Sequence, residues 1–87
     1  MQDLTKLPNI GEVLATRLKE IGIKSYEDLA RLGSVEAVIQ IGDSGLSVCY
    51  NMLYALEGAI QNVRWHGIPK EERQLLKEEY DLAREAR

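Results

Sequence analysis

Apolar residues recur at helical spacing almost from the start of the chain. Ile10, Val13, Leu14, Leu18 and Ile21 repeat at intervals that place them on one side of an amphipathic helix, with Asn9 positioned to cap it and Gly22 to break it. Ser25-Tyr-Glu-Asp28 has the form of a capping box with Asp in the usual Glu position. It predicts a short helix ending near Gly33, with Tyr26, Leu29, Ala30 and Leu32 as its apolar residues. Ser34 opens a third segment, in which Val35, Val38 and Ile39 repeat before the turn Gly42-Asp-Ser-Gly45. Residues 47–61 read as the central core helix. Cys49, Met52, Leu53, Leu56 and Ile60 fill one face, widened by Val48, Ala55 and Ala59, and the opposite stripe of Ser47, Asn51, Tyr54, Gly58 and Gln61 faces water or a partner. After a loop over 63–67, Pro69 suits the first turn of a terminal helix over 69–85, and Glu71 and Glu72 favour its positive end. Leu76, Tyr80 and Ala83 form its stripe, Leu75 lies beside them, and Lys77, Asp81 and Arg84 are spaced to pair on the exposed side. Apolar and polar residues never alternate long enough to argue for a strand. The pattern predicts an all-α bundle of about five helices.

Composition narrows what such a bundle could do. With 87 residues, 45% hydrophobic and 29% charged, the chain has the size and make-up of one packed domain spanning 1–87. Its single cysteine, Cys49, cannot close an internal disulfide, and with one histidine, His66, the usual Cys/His zinc cages are excluded. The longest apolar run is five residues, 52–56, and the opening MQDLTKLPNI carries no basic leader. A cytoplasmic protein without membrane contact is therefore expected. No cofactor and no small-molecule substrate are expected. The net charge of −3 supplies no overall field to attract a polyanion, so any nucleic-acid binding must be local. Residues 1–33 are charge-balanced and the most nearly basic part of the chain.

One segment carries a recognisable motif. Leu7-Pro-Asn-Ile-Gly11, followed by Val13, Leu14, Ala15 and Leu18 and then Ile21-Gly-Ile23, resembles a helix-hairpin-helix over 7–32. In that motif a tight Pro-Gly-x-Gly turn joins two short helices, and a small residue, here Ala15, lets them approach. Such a turn aims backbone N–H groups outward at a helix N-terminus and can hold one phosphate oxygen. Asn9 replaces the first glycine, and asparagine is the non-glycine residue that most readily enters the left-handed region. Glu12 directly after Gly11 opposes an anion, whereas Lys6, Arg17, Lys19 and Lys24 offer positive charge nearby.

At whole-chain level the match is closer. Leu4-x-x-Leu-Pro-Asn-Ile-Gly11, the Gly33-Ser-Val-Glu-Ala37 turn, Cys49-Tyr-Asn-Met-Leu-Tyr-Ala-Leu-Glu-Gly-Ala59 and Trp65-His66 together resemble the TfoX C-terminal domain over roughly residues 3–70. The resemblance implies a SAM-like all-helical fold of the helix-hairpin-helix group and no enzyme activity, in a family named for regulators of bacterial competence genes. In two-domain members of that family the module follows an N-terminal domain, so a role that needs both halves does not transfer directly.

Two functional readings follow. In the first, the domain is a non-catalytic regulatory module that grips the DNA backbone without reading bases or contacts the transcription machinery. Asn9, Ile10 and Gly11 would donate amides, and Lys6, Arg17 and Lys24 would add charge. In the second, which the net charge favours, the hairpin is structural. The domain is then a protein interaction or oligomerisation module, using the Asn51 and Tyr54 stripe or a homodimer contact through Leu76 and Tyr80. Base readout is not expected, since no helix gathers Arg, Asn or Gln on one face. Cys49 reads as core packing, Trp65 as the edge of a core, His66 as a helix-end cap, Arg64 as a minor patch, and Glu57 as paired or edge-exposed.

Overall fold

The structure, a computed structural model, describes residues 4–86. A 3-10 turn, Leu4–Lys6, leads through a bend into α1 (Glu12–Glu20). Then come α2 (Tyr26–Leu32), α3 (Ser34–Asp43), α4 (Tyr50–Gln61), a second 3-10 turn (Trp65–Gly67) and α5 (Lys70–Glu85). The described residues contain no strand, so the fold is all-α with five helices. Its radius of gyration, 11.9 Å, matches the roughly 12 Å of a fully packed chain of this length.

Local chemistry accounts for the helix boundaries. Ser25 caps α2 as expected, its Oγ accepting from the Asp28 N–H at 3.1 Å. The return half of the box lands one residue early, because the Asp28 carboxylate accepts from the N–H of Lys24 at 3.2 Å. Gly33, at φ 88°, ends α2 and begins α3 in a single residue. That left-handed backbone lets two helices meet with no linker between them.

The central position expected of α4 is shared with α3. Helix α3 packs against α1, α2, α4 and α5, and buries Ser34, Ala37, Val38, Ile39 and Ile41. Those residues cover more than one side of the helix, which is the signature of a helix enclosed by others. In turn α4 starts at Tyr50, three residues later than expected. Residues 46–49 lie outside any helix, with Leu46 and Val48 packed on the core and Ser47 and Cys49 exposed. Cys49 is therefore the exposed N-cap of α4 and not a core residue. Asn9 likewise does not cap α1; Gly11 holds that position. Val13, placed on the inner stripe by its spacing, is 69% exposed.

Leu76 and Tyr80 of α5 are buried in the core cluster and cannot form an outward interaction surface. The large apolar side chains that α5 leaves outside are Leu75 and Leu82. Its charges do not form the expected surface pairs either. Lys77 Nζ lies 5.0 Å from the Tyr50 ring, the Arg84 guanidinium lies 6.0 Å from the Tyr80 ring, and Asp81 accepts from the Tyr50 hydroxyl at 2.8 Å. That hydrogen bond, with some desolvation and the nearby Asp81 charge, raises the Tyr50 phenol above its ordinary value.

Candidate functional site at the Asn9 turn and the α1–α4 groove

The bend before α1 takes the form the asparagine implied: Asn9 sits in the left-handed region at φ 69°. What precedes it among the described residues is one 3-10 turn, so the first helix of a hairpin is not displayed. The Asn9 side chain is consumed inside the fold. Its Nδ2 donates to the carbonyls of Ala55 at 3.3 Å and Val63 at 2.9 Å, and its Oδ1 accepts from the Trp65 N–H at 3.2 Å. One asparagine thereby ties the N-terminal bend to the end of α4 and to the turn beyond it, across more than forty residues of chain.

This staple accounts for Gly58, which the spacing assigned to a solvent stripe and which is in fact buried. A Cβ there would stand 2.5 Å from Asn9 Nδ2 and 2.7 Å from the Val63 carbonyl oxygen. Just beyond, Asn62 at φ 61° ends α4, and the Val63 N–H donates back to Gly58 O at 2.8 Å. The C-terminal end of α4 is shaped to receive the Asn9 turn.

The consequences for anion binding are mixed. Ile10 is buried and its N–H donates to Leu7 O at 3.4 Å, so it anchors the turn and offers no outward amide. Gly11 is exposed and precedes the first-turn amides of α1, which have no intrahelical acceptor. Lys6 and Arg64, both exposed, line with residues 7–11 a shallow concavity of about 500 Å³. Arg17 lines a different depression, and Lys24 lies just before the Ser25 cap of α2. The structure thus gathers Lys6, Asn9 and Gly11 with Arg64, and leaves Arg17 and Lys24 apart.

The depression that holds Arg17 is an apolar groove of about 720 Å³. It forms because α1 leans on α3 and the first 3-10 turn, leaving space between itself and α4. Val13, Leu14, Met52, Ala55 and Trp65 line it, and Asn51 and Cys49 stand at its edge. Trp65 is half-buried and held from several sides. Its ring stacks on Tyr54 at 6.0 Å and on His66 at 3.9 Å, and the Arg73 guanidinium lies 5.8 Å from its centroid. Tyr54 is therefore part of an aromatic wall, whereas Asn51 stays exposed. Glu57, on another side of α4, accepts from Ser34 Oγ and Gln61 Nε2, each at 2.8 Å. Sequence spacing concealed the groove because Val13 and Met52 read as core.

Fold and surface together define a small all-helical domain with shallow depressions at the Asn9 turn and between α1 and α4. Among the described residues no group of three or more His, Cys, Asp or Glu side chains is arranged to hold a metal ion, and no helix is long and apolar enough to cross a membrane. The chain belongs to the TfoX C-terminal domain family, whose pattern matches residues 1–80 and so reaches into α5. Two solved structures are closely similar. A triclinic crystal form of an uncharacterized protein from Listeria monocytogenes is 43% identical, with a TM-score of 0.87 over 94% of this chain and 93% of that one. A tetragonal form of a protein of unknown function from Listeria monocytogenes, also 43% identical, gives 0.85 over 93% and 99%. No curated protein matches.

Proposed function

We propose that this TfoX C-terminal domain is a non-catalytic regulatory module that works by docking a protein partner in the groove between α1 and α4. The observation that carries this reading is Val13, which is 69% exposed at the mouth of an apolar groove walled by Leu14, Met52 and Trp65. Val13 adjoins the apolar walls of the groove, and a contiguous apolar surface of this kind, more than any single exposed side chain, marks a contact site. The net charge of −3 agrees with a protein partner better than with a polyanion.

The only cysteine supplies the test. Cys49 is exposed at the groove edge, so a photo-crosslinker attached to its thiol reports what enters. The expected result is one discrete adduct from the native cell extract, competed by unlabelled wild-type protein but not by Val13→Asp. Equal competition by both proteins would remove the groove from the mechanism.

A second reading rests on one specific observation: Lys6 and Arg64 flank the exposed Gly11 turn. That arrangement suits a single phosphate contact on a nucleic-acid backbone. Titration of duplex DNA at low salt separates the two readings, since phosphate contacts weaken steeply as salt rises. Binding lost in both Lys6→Glu and Arg64→Glu would support it, and no binding by the wild type would eliminate it.

A further inference from the structure

The surface of α5 shares no residue with the α1–α4 groove, and its charges are sorted by side. Arg73, Lys77 and Arg84 follow one flank of the helix, and each lies over an aromatic ring, of Trp65, Tyr50 and Tyr80 respectively. Among the described residues the outward face carries no such cation. Leu75 is 58% and Leu82 68% exposed. They stand seven residues apart, hence on the same side of the helix and about 10 Å apart along its axis. Exposed Glu71, Glu78, Glu79 and Glu85 surround them.

Beside Leu75 this face opens into a groove of about 470 Å³, with Val35 on its apolar side and Glu36, Glu57, Glu72 and Glu79 around it. Among the described residues no lysine or arginine lines it. Four carboxylates here exceed the net charge of the whole chain, −3. Glu57 and Glu72 are both held by the neutral amide of Gln61, at 2.8 and 2.6 Å, so these bonds orient the two carboxylates without cancelling their charge. Part of this charge serves the fold, since Glu57 accepts from Ser34 Oγ and Glu36, Glu71 and Glu72 lie in the first turns of their helices, but Leu75 and Leu82 gain nothing by standing in water.

The sign of the charge decides what could cover this face. A second copy docked face to face would set Glu71, Glu78, Glu79 and Glu85 against themselves, and a nucleic acid or an anionic bilayer would also meet like charge. We propose that the outer face of α5, with the groove at Leu75, docks a basic amphipathic helix of a partner protein. Two apolar side chains of that helix meet Leu75 and Leu82, and flanking Lys or Arg side chains meet the carboxylates. Helix-in-groove recognition of this kind needs an apolar stripe for affinity and rim charges for selectivity.

The test uses the full chain and two fluorescein-labelled helical peptides of about 18 residues, long enough for five turns. Both carry the same leucine stripe; one is flanked by Lys and Arg, the other by Glu. Fluorescence anisotropy is expected to show binding of the basic peptide only, weakening about tenfold or more when salt is raised to screen the rim charges. Leu75→Ser with Leu82→Ser, and separately Glu78→Lys with Glu79→Lys, are each expected to reduce binding at least about tenfold, a hot-spot effect. All four positions are exposed, so circular dichroism melting should find both double variants folded. Binding of the basic peptide that survives Leu75→Ser with Leu82→Ser, equal binding of the acidic peptide, or no binding by the wild type would each overturn the proposal.

Discussion

The Asn9 turn and the α5 helix sit near opposite ends of the chain and use polar residues in opposite ways. At the turn, residues that looked available for a ligand are spent on the fold. Asn9 makes three hydrogen bonds to distant backbone groups, and Ile10 is buried. Along α5, the stripe that looked like a docking surface, Leu76 and Tyr80, is buried, and the residues beside it remain outside. A motif residue is thus no guide to function until its hydrogen-bonding capacity has been accounted for. An apolar stripe is no guide until its neighbours on the helix have been assigned a side.

The largest effect is expected from Leu76→Ala, which removes a buried side chain where α5 meets the core and should cost about 2–5 kcal/mol in urea unfolding. A loss below about 0.5 kcal/mol would mean that α5 is not anchored as described.

Next is Gly58→Ala. In an ordinary helix interior this change stabilises. Here the new Cβ meets Asn9 Nδ2 and the Val63 carbonyl, so a destabilisation of about 1–3 kcal/mol is expected. The sign alone tests the staple.

Asn9→Gly keeps the left-handed backbone but removes three side-chain hydrogen bonds, at an expected cost of about 1–3 kcal/mol. Asn9→Ala should cost about 1 kcal/mol more, because alanine resists that conformation. A double-mutant cycle with Gly58→Ala should be non-additive, since one of the three groups the new Cβ meets is then absent.

Leu75→Gln and Leu82→Gln should change stability by no more than about 0.5 kcal/mol each, because both side chains are already in water. A larger loss would place them in the core with Leu76.

The smallest effect concerns pH. The Tyr50 phenol is raised above 10.0, first by its hydrogen bond to Asp81, so the fold favours the neutral form. Its contribution to stability is fully present below the unfolded value and is lost as pH climbs through the higher folded value. Tyr50→Phe should therefore flatten the decline of the urea midpoint above pH 10 while leaving the slope near neutrality unchanged. An identical alkaline slope in wild type and variant would show that the bond is not kept in solution.

Much of the architecture was legible in the order of residues. The helical period of Leu29 and Leu32, the Ser25 cap, the breaks at Gly22 and Gly33, and the left-handed conformation of Asn9 all reflect chemistry within a few positions of one another. The start of α4 was misplaced because residues 46–49 alternate inward and outward over too short a stretch to separate from a helix. Leu75 was grouped with Leu76, although neighbours in a helix point about 100° apart. Its seven-residue spacing from Leu82 was the available signal for an exposed face.

Local physics, encoded in consecutive residues, was sufficient to set the helices, their caps and the left-handed turn, because each depends on contacts only a few positions apart. Only the packed chain could decide that Asn9 reaches Val63 and Trp65, that Gly58 must lack a side chain, that Val13 looks outward, and that carboxylates from α3, α4 and α5 border one groove. Each of those pairs groups far apart along the chain, and helical period says which side of a helix is apolar without saying which other helix will cover it.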